Sequence, residues 1–207
     1  KLYGKNSLLL SAAADLLVNK DQSDPKPQDD NSIYGKILEI NLDNKSYKIF
    51  SKGHRNVLGL FSNGNIILAT ENGPRGGDEI NKIMLNKNYG WDKVSYGYKY
   101  KSSEPYSNLH EENGFIEPIY AFIPSIGISQ IIKIDDNFSK NWENNFLIAS
   151  LNGNHLYRIK FDKKFEKVFF IEDIYIGERI RDLIFLKEEN VVLLALESSG
   201  SLGILKK

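Results

Sequence analysis

Candidate chemistry in this chain begins with an acidic, glycine-rich stretch at Glu71-Asn-Gly-Pro-Arg-Gly-Gly-Asp-Glu-Ile-Asn81. Its glycines permit positive φ and the close approach of a ligand, and Pro74 fixes φ and lacks an amide donor. The stretch is therefore predicted to be a shaped loop that directs the carbonyls of Gly73 and Pro74. Asp78 and Glu79 add carboxylate oxygens, which are ligands that calcium prefers. The alternative is a solvated turn between two strands, because short motifs also arise without a site.

Two basic clusters elsewhere in the chain are candidates for binding an anion. His54-Arg55-Asn56 lies upstream of the acidic stretch, and Arg179 and Arg181 lie far downstream, where an apolar run begins. Residues two apart in a strand share one face, so these two guanidiniums would repel each other unless an anion lies between them. Guanidinium groups bind carboxylates bidentately, which favours a ligand with several carboxylates. The alternative is ion pairing within the chain, with Glu172, Glu178 or Asp182.

Short strands joined by turns must position these clusters. Lys36–Leu42 and Ser46–Phe50 flank a turn and predict a hairpin. Two strands are predicted within Leu2–Val18, followed by a surface loop at 19–32. Further strands are predicted at Val57–Phe61, Asn65–Thr70, Ile128–Ile134, Phe146–Ser150, His155–Phe161, Lys167–Ile174, Ile180–Leu186, Val191–Leu196 and Ser201–Leu205. This pattern favours an all-β sandwich, barrel or propeller, and 207 residues hold roughly four propeller units.

Composition excludes several classes of function. The formal net charge is zero, so nothing favours nucleic acid or an anionic membrane surface as a partner. The chain contains no cysteine, which excludes disulfides and thiolate metal sites. No stretch approaches the roughly 18 apolar residues of a membrane helix. The chain begins at Lys1 without a methionine or signal peptide, from which we expect a processed or truncated chain.

Five motifs together resemble one known family. GHRN, ENGPRGGDEIN, NYGW, PSIGIS and GERIRD occur in the order and spacing seen in the soluble glucose/sorbosone dehydrogenases, which include periplasmic aldose sugar dehydrogenases. The similarity runs from Tyr34 to Gly203. It implies a six-bladed β-propeller that holds pyrroloquinoline quinone (PQQ) and calcium at the mouth of its channel. Residues 1–207 are therefore expected to form a partial propeller domain of roughly four blades, with the N-terminal blades missing, in a periplasmic or secreted protein.

The resemblance also implies a set of site residues. Transferred residue by residue, the contacts to PQQ are Arg55, Asn56, Tyr100, Ser150, Leu151, Asn152, Arg179 and Arg181. The implied calcium ligands are Glu79 and the carbonyl of Tyr89, with Gly73, Pro74 and Asp78 as further candidates. Two positions depart from the family: Asn152 stands where members often have lysine, and Asn72 replaces a more usual histidine. The change at Asn152 removes one positive charge facing a trianionic cofactor.

The catalytic base of the family has no counterpart in this chain. It is a histidine that precedes the strand aligned with Leu2–Leu10, so no catalytic residue is assigned within residues 1–207. His54 is expected to be a structural or surface residue, and His110 and His155 are both expected at the surface. For Tyr100, the alternative to a contact with PQQ is packing within an aromatic-rich run of the chain.

Two functions remain open from the sequence. The first is oxidation of aldose sugars at the anomeric carbon, with PQQ as hydride acceptor and calcium as Lewis acid; the isolated chain is expected to be inactive. Its partners would be a small sugar and an electron acceptor that the sequence does not identify, and a homodimer is left open. Neither nucleic acid nor membrane insertion is expected. The alternative is a non-catalytic propeller that acts as a calcium-stabilised binding module, as in the hedgehog-interacting relatives.

Overall fold

The structure is a computed structural model that describes residues 1–14 and 25–207. This part of the chain is almost entirely β-structure, with 3-10 turns at Glu111–Asn113 and Lys140–Trp142. In the first half the strands are β1 (Leu2–Tyr3), β2 (Ser7–Ala12), β3 (Lys36–Asn41), β4 (Tyr47–Lys52), β5 (Val57–Ser62), β6 (Ile67–Glu71), β7 (Asp78–Lys82), β8 (Lys87–Asn88) and β9 (Tyr120–Phe122). In the second half they are β10 (Ile128–Lys133), β11 (Phe146–Ser150), β12 (His155–Phe161), β13 (Val168–Tyr175), β14 (Ile180–Leu186), β15 (Val191–Leu196) and β16 (Ser201–Leu205). Within the described ranges, no helix is long and apolar enough to cross a membrane.

The strands form four sheets, which divide between two compact units. Residues 1–125 contain the sheets β1-β2-β3-β4-β8 and β5-β6-β7-β9. Residues 126–207 contain the sheets β10-β11-β12-β13 and β14-β15-β16. Neighbouring strands are antiparallel apart from the short pairing of β4 with β8. The prediction of an all-β chain is therefore confirmed, and the number of sheets equals the number of predicted propeller units.

Each unit has an apolar core between its two sheets. In the first unit this core includes Leu9, Ile37 and Phe50 from one sheet and Val57, Ile67 and Ala69 from the other. In the second unit it includes Leu147, Ala149 and Leu156 from one sheet and Ile180, Leu183, Val192 and Leu194 from the other. Burying each of the larger side chains contributes about 1.5–3 kcal/mol, which makes these cores the main support for the loops at the sheet ends.

Most predicted strands agree with the structure to within two residues, but the interpretation of residues 71–81 as one loop is wrong. Glu71 ends β6, Asp78–Lys82 forms β7, and only residues 72–77 form the connecting loop. The sequence concealed β7 because its polar residues are buried alongside Ile80. The strands predicted within Leu2–Val18 appear as β1 and β2, and the part of that range beyond residue 14 lies outside the described residues.

Candidate functional site

The loop between β6 and β7 is shaped by close backbone contacts. A side chain at Gly73 would collide with the carbonyl oxygens of Gly76 and Gly77. Gly77 itself has a φ of +67°, and a side chain there would meet the backbone of Tyr96 at 2.6 Å. Only glycine fits these two positions. Since Gly73, Pro74 and Gly77 are buried, the alternative of a solvated turn is wrong.

Asp78, the first residue of β7, stabilises this loop by accepting two hydrogen bonds. Its Oδ1 atom accepts hydrogen bonds from the Gly73 amide at 2.9 Å and from the Ser125 hydroxyl at 2.8 Å. The side chain is fully buried. Asp78 was a further candidate for calcium, and in this structure its carboxylate holds the loop closed.

Glu71, which the sequence did not single out, connects three elements. One carboxylate oxygen lies 3.0 Å from His54 Nδ1, and the other accepts a hydrogen bond from the Arg55 amide. His54 Nε2 lies 2.8 Å from the Ser51 hydroxyl. This order of hydroxyl, imidazole and carboxylate resembles a hydrolase triad. Ser51 and His54 are each only 1% exposed, so no substrate reaches them. The network is structural, as expected for His54.

Arg55 is held on three sides. Its guanidinium donates to the Asn72 carbonyl at 2.6 Å and to the Tyr100 hydroxyl at 3.0 Å. The same group lies 5.5 Å from the centre of the Trp91 ring. The carbonyl of the next residue, Asn56, accepts the Asn72 amide at 2.9 Å. The structure therefore brings together three of the residues predicted to contact PQQ, Arg55, Asn56 and Tyr100, within the first unit.

Arg75 fixes the segment that carries Tyr100. It donates to the Tyr100 carbonyl at 3.0 Å and to the Ser103 hydroxyl at 2.8 Å. Tyr100 is thus held at its backbone by Arg75 and at its hydroxyl by Arg55. Sequence reasoning missed this role because Arg75 lies in an exposed position of a motif whose interest was its glycines and carboxylates.

Glu79 lies in a buried acidic environment. It is the cross-strand partner of Glu71. Burial raises the pKa of Glu79 to about 8, and the negative charge of Glu71 is the next cause. A hydrogen bond from the Asn81 side-chain amide at 3.1 Å lowers the pKa of Glu79 and so opposes these two causes. The charges of Glu117 and Asp78 raise the pKa further.

His110 lies beside this acidic group, and the prediction that it is a surface residue is wrong. It is 1% exposed, and its ring stacks on Tyr96 at 5.1 Å. Its Nε2 atom is 3.9 Å from the Glu79 carboxylate and has no hydrogen-bond partner among the described residues. Its Nδ1 atom is 3.7 Å from the Glu117 carboxylate, which also accepts the Tyr96 hydroxyl at 2.8 Å. Burial and this hydrogen bond raise the pKa of Tyr96 to about 12.

The surroundings of Glu79 suit a hard cation in their chemistry. They offer the carboxylate and the buried Asn81 Oδ1, which is without a hydrogen-bond partner in the described part of the chain. Oxygen ligands of this kind favour calcium, and a positive charge would offset the causes of the raised pKa of Glu79. Tyr89 is buried next to His54, with its hydroxyl donating to the Lys82 carbonyl at 2.6 Å, so only its backbone carbonyl is a candidate ligand. Over residues 1–14 and 25–207, no three acidic or histidine side chains are already grouped as a metal site.

The second unit contains the other predicted PQQ contacts. Ser150 closes the turn between β11 and β12, because its hydroxyl donates to the His155 carbonyl at 2.8 Å and accepts the His155 amide at 3.1 Å. Arg179 donates to the Leu151 carbonyl at 3.2 Å and to Asn152 Oδ1 at 3.0 Å. The structure therefore brings Ser150, Leu151 and Asn152 together with Arg179.

The spacing of Arg179 and Arg181 predicted an anion between their guanidiniums. In the structure that anion is a carboxylate of the protein itself, that of Glu197. Glu197 Oε2 is 2.6 Å from Arg181 and 3.6 Å from Arg179. The acidic neighbours considered from the sequence have other partners: Glu178 binds Ser199, and Asp182 accepts from Gln130. Two guanidiniums and one carboxylate leave this half-exposed cluster with one net positive charge.

Solved structures of sugar dehydrogenases resemble this fold. A crystal structure of glucose dehydrogenase matches with a TM-score of 0.81 and 25% identity, over 97% of this chain and 60% of that one. The PQQ-bound form of aldose sugar dehydrogenase from Streptomyces coelicolor matches with a TM-score of 0.65 and 23% identity, over 91% of this chain and 56% of that one. The predicted fold class, the all-β propeller fold of these enzymes with four sheets in this chain, is confirmed.

Sequence comparisons agree with the structural ones. Aldose sugar dehydrogenase YliI from Escherichia coli is 30% identical over 196 aligned positions, covering 86% of this chain and 52% of that protein. Quinoprotein glucose dehydrogenase B from Acinetobacter calcoaceticus is 26% identical over 256 aligned positions, covering 89% of this chain and 53% of that protein. The chain thus spans about half the length of the curated relatives it matches. The sequence profile of the Glucose / Sorbosone dehydrogenase family matches residues 17–204, and the chain belongs to that family.

Proposed function

We propose that the protein oxidises aldose sugars at the anomeric carbon, with PQQ as hydride acceptor and calcium as its metal, in the periplasm or outside the cell. The observation that carries the proposal is the grouping of the family-matched residues into two arginine clusters, around Arg55 and around Arg179. The names of the relatives support it, since they include an aldose sugar dehydrogenase and a quinoprotein glucose dehydrogenase. A related structure holds PQQ.

The first cluster would orient an anionic ligand through Arg55. Its guanidinium is fixed by Asn72, Tyr100 and Trp91, so little side-chain freedom remains to be lost on binding. Fixed donors placed where negative charge develops are the usual means by which a protein stabilises a transition state. When bound, PQQ supplies the electrophilic carbonyl that accepts a hydride, and calcium supplies Lewis acidity.

The second cluster would bind carboxylates through Arg179 and Arg181. Both guanidiniums are partly exposed and point to one shared acceptor, Glu197. A ligand carboxylate would have to compete with Glu197 or replace it. Asn152, which accepts from Arg179, contributes no charge where family members often have lysine. We therefore expect weaker affinity for PQQ than in relatives with that lysine.

Calcium would be held by the Glu79 carboxylate and the Tyr89 carbonyl, with the Gly73 and Pro74 carbonyls as further ligands. Bound there, the ion would keep Glu79 ionised in its buried position. The Pro74 carbonyl already accepts the Gly76 amide at 3.1 Å, which leaves one lone pair for a cation.

The proton acceptor is proposed to be a histidine outside residues 1–207. His54 and His110 are buried and in contact with protein groups, so neither reaches a substrate. His155 is held by the carbonyl of Gly153. Burial excludes His54 and His110 from the role of the base, and the resemblance aligns the family's base with no residue of this chain, His155 included.

Two observations favour a binding module as the second candidate. Glu197 partly neutralises the arginine pair, and Asn152 replaces a charged residue. Both reduce the attraction for a trianionic quinone. In that case the propeller would keep its shape and its calcium and would bind a partner without redox chemistry.

One experiment separates these functions. The protein in its full natural length is reconstituted with PQQ and calcium, and dye reduction is measured with a panel of aldoses. Turnover that requires both PQQ and calcium supports the enzyme. If micromolar PQQ neither binds nor supports dye reduction, the dehydrogenase proposal is overturned in favour of the binding module.

A further inference from the structure

Four side chains form a block at one end of the β12–β13 ribbon. His155 pairs with Tyr175 and Tyr157 pairs with Asp173 in the register of the two strands. Residues two apart in a strand share a face, and directly paired residues have Cβ atoms about 5 Å apart. The four side chains therefore lie on one face, in two adjacent rows. We call this group the β12–β13 platform.

The platform combines an open aromatic face with polar groups. Tyr175 is 72% exposed, although exposed aromatic side chains on a strand usually find cover. The His155 ring lies 5.1 Å from that of Tyr175 and 6.0 Å from that of Tyr157. Its Nε2 atom is 3.9 Å from the Asp173 carboxylate, whose side chain is also 72% exposed. A ring, a carboxylate and an imidazole thus border one solvent-facing patch.

The platform is held rigidly and is continuous with the second arginine cluster. His155 Nδ1 lies against the Gly153 carbonyl, and a side chain at Gly153 would press on the Ser150 and Tyr157 hydroxyls, each at 2.9 Å. After Tyr175, the backbone amides of Ile176 and Gly177 donate to the Asn154 carbonyl at 3.0 and 3.1 Å. The same turn carries Asn152, which contacts Arg179. The turn at residues 150–154 therefore supports both the platform and the proposed PQQ contacts.

We propose that the β12–β13 platform is a saccharide-binding subsite that holds a second sugar unit of an oligosaccharide substrate. The role as a substrate subsite rests on the proposed dehydrogenase function. A pyranose has an apolar face of C–H groups that packs on an aromatic ring, and its hydroxyls donate to a carboxylate and exchange hydrogen bonds with an imidazole. Tyr175 supplies the ring, and Asp173 and His155 supply the polar groups. The negative charge of Asp173 disfavours nucleic acid and other polyanions.

Another exposed aromatic residue of the same strand provides a matched control. Phe169 is 70% exposed and lies six residues before Tyr175 on β13, about 20 Å along a strand. The β12–β13 pairing places neither an imidazole nor a carboxylate beside it. A saccharide that merely adheres to exposed rings would respond equally to loss of either side chain.

The direct test measures binding without PQQ. Maltotriose and cellotriose are titrated into the full-length protein, with saturation-transfer NMR and calorimetry as readouts. We expect at least one trisaccharide to bind, with affinity about tenfold lower in Tyr175→Ala and unchanged in Phe169→Ala. Asp173→Asn is expected to weaken trisaccharide binding while leaving the melting temperature unchanged. This second variant keeps the test decisive if Tyr175→Ala does not fold. No binding by the wild-type protein, or equal loss in the Tyr175 and Phe169 variants, would overturn the proposal.

A kinetic test separates this proposal from the dehydrogenase function. In active protein, Tyr175→Ala should raise KM for the trisaccharide and leave kcat and the KM for glucose unchanged. Active protein in which KM for both sugars stays unchanged would refute the subsite and leave the dehydrogenase intact. Trisaccharide binding that depends on Tyr175, in protein without PQQ-dependent turnover, would support the platform as a saccharide site and refute its role in oxidation.

Discussion

At the scale of single residues, Glu71 links strand β6 to the segment that carries His54 and Arg55. It is buried and serves both His54 Nδ1 and the Arg55 amide. Glu71→Ala leaves both groups buried without their acceptor, and each such loss costs about 1–3 kcal/mol. We therefore expect the free energy of unfolding, measured with urea, to fall by about 2–5 kcal/mol.

The matched control for Glu71 is Glu104→Ala. Glu104 is exposed and pairs with Lys99 at 3.2 Å, so solvent screens this ion pair and its loss should leave the free energy of unfolding almost unchanged. Equal effects of the two substitutions would show that the Glu71 network does not stabilise the unit.

Asn152 offers a gain-of-function prediction at the same scale. Asn152→Lys restores a positive charge beside Arg179, and a hydrogen bond to a charged group contributes about 1.5–3 kcal/mol. PQQ should bind at least about tenfold more tightly, measured by quinone absorbance during titration of the full-length protein. Asn108→Lys adds the same charge at an exposed position of the first unit and should have little effect. A Kd that is unchanged in Asn152→Lys would contradict the assignment of this residue to the PQQ site.

At the scale of elements, the β6–β7 hairpin should make stability depend on pH. The folded-state pKa of Glu79, about 8, lies above its ordinary value of 4.5, so between these values the folded protein binds the proton more tightly than the unfolded chain does. Stability is therefore greatest below about pH 4.5 with respect to this group and falls as pH rises towards 8, by at most about 1.4 kcal/mol per pH unit.

Thermal unfolding in a chelator, from pH 5 to pH 8.5, measures this effect. The wild-type melting temperature should decrease with pH, and Glu79→Gln should flatten the curve. Added calcium should raise the melting temperature of the wild-type protein at high pH and should leave that of Glu79→Gln unchanged. A wild-type curve that coincides with that of Glu79→Gln would contradict a buried Glu79 with a raised pKa.

The same hairpin shows how far the sequence leads. Strands such as β3 and β12 are readily predicted because their apolar residues are closely spaced and turn residues flank them. Strand β7 was missed because Asp78 and Glu79 are buried through partners on distant segments. His110 was misplaced for the same reason, since Tyr96 and Glu117 reach it only in the folded chain. The predicted PQQ contacts came from family motifs, whereas Glu71, Arg75 and Glu197 required the coordinates.

At the scale of the whole molecule, the sheet β14-β15-β16 presents an apolar face to solvent. Ile184 and Ile204 flank Leu193 in one row, and Leu202 lies in the adjacent row opposite Ala195. Leu202 is 70% exposed, and both isoleucines are more than half exposed. Exposed apolar patches of this kind promote association.

We therefore expect residues 1–207 expressed alone to self-associate in light scattering. Leu202→Lys combined with Ile204→Lys should shift the distribution towards the monomer, whereas two lysines replacing exposed polar residues, at Asn108 and Asn44, should not. A sharp monomer peak with cooperative melting for the unaltered chain would contradict this prediction.

The central claim is that this protein binds PQQ through its family-matched arginines, and direct titration of PQQ into the full-length protein with calcium tests it. Arg55→Ala and Arg179→Ala should each weaken binding by about tenfold or more, because each removes a charged hydrogen-bond donor. Lys163→Ala removes an exposed charge and should leave Kd unchanged. Wild-type protein that fails to bind micromolar PQQ would contradict the claim, and an unchanged Kd in either arginine variant would contradict the assignment of that arginine to the PQQ site.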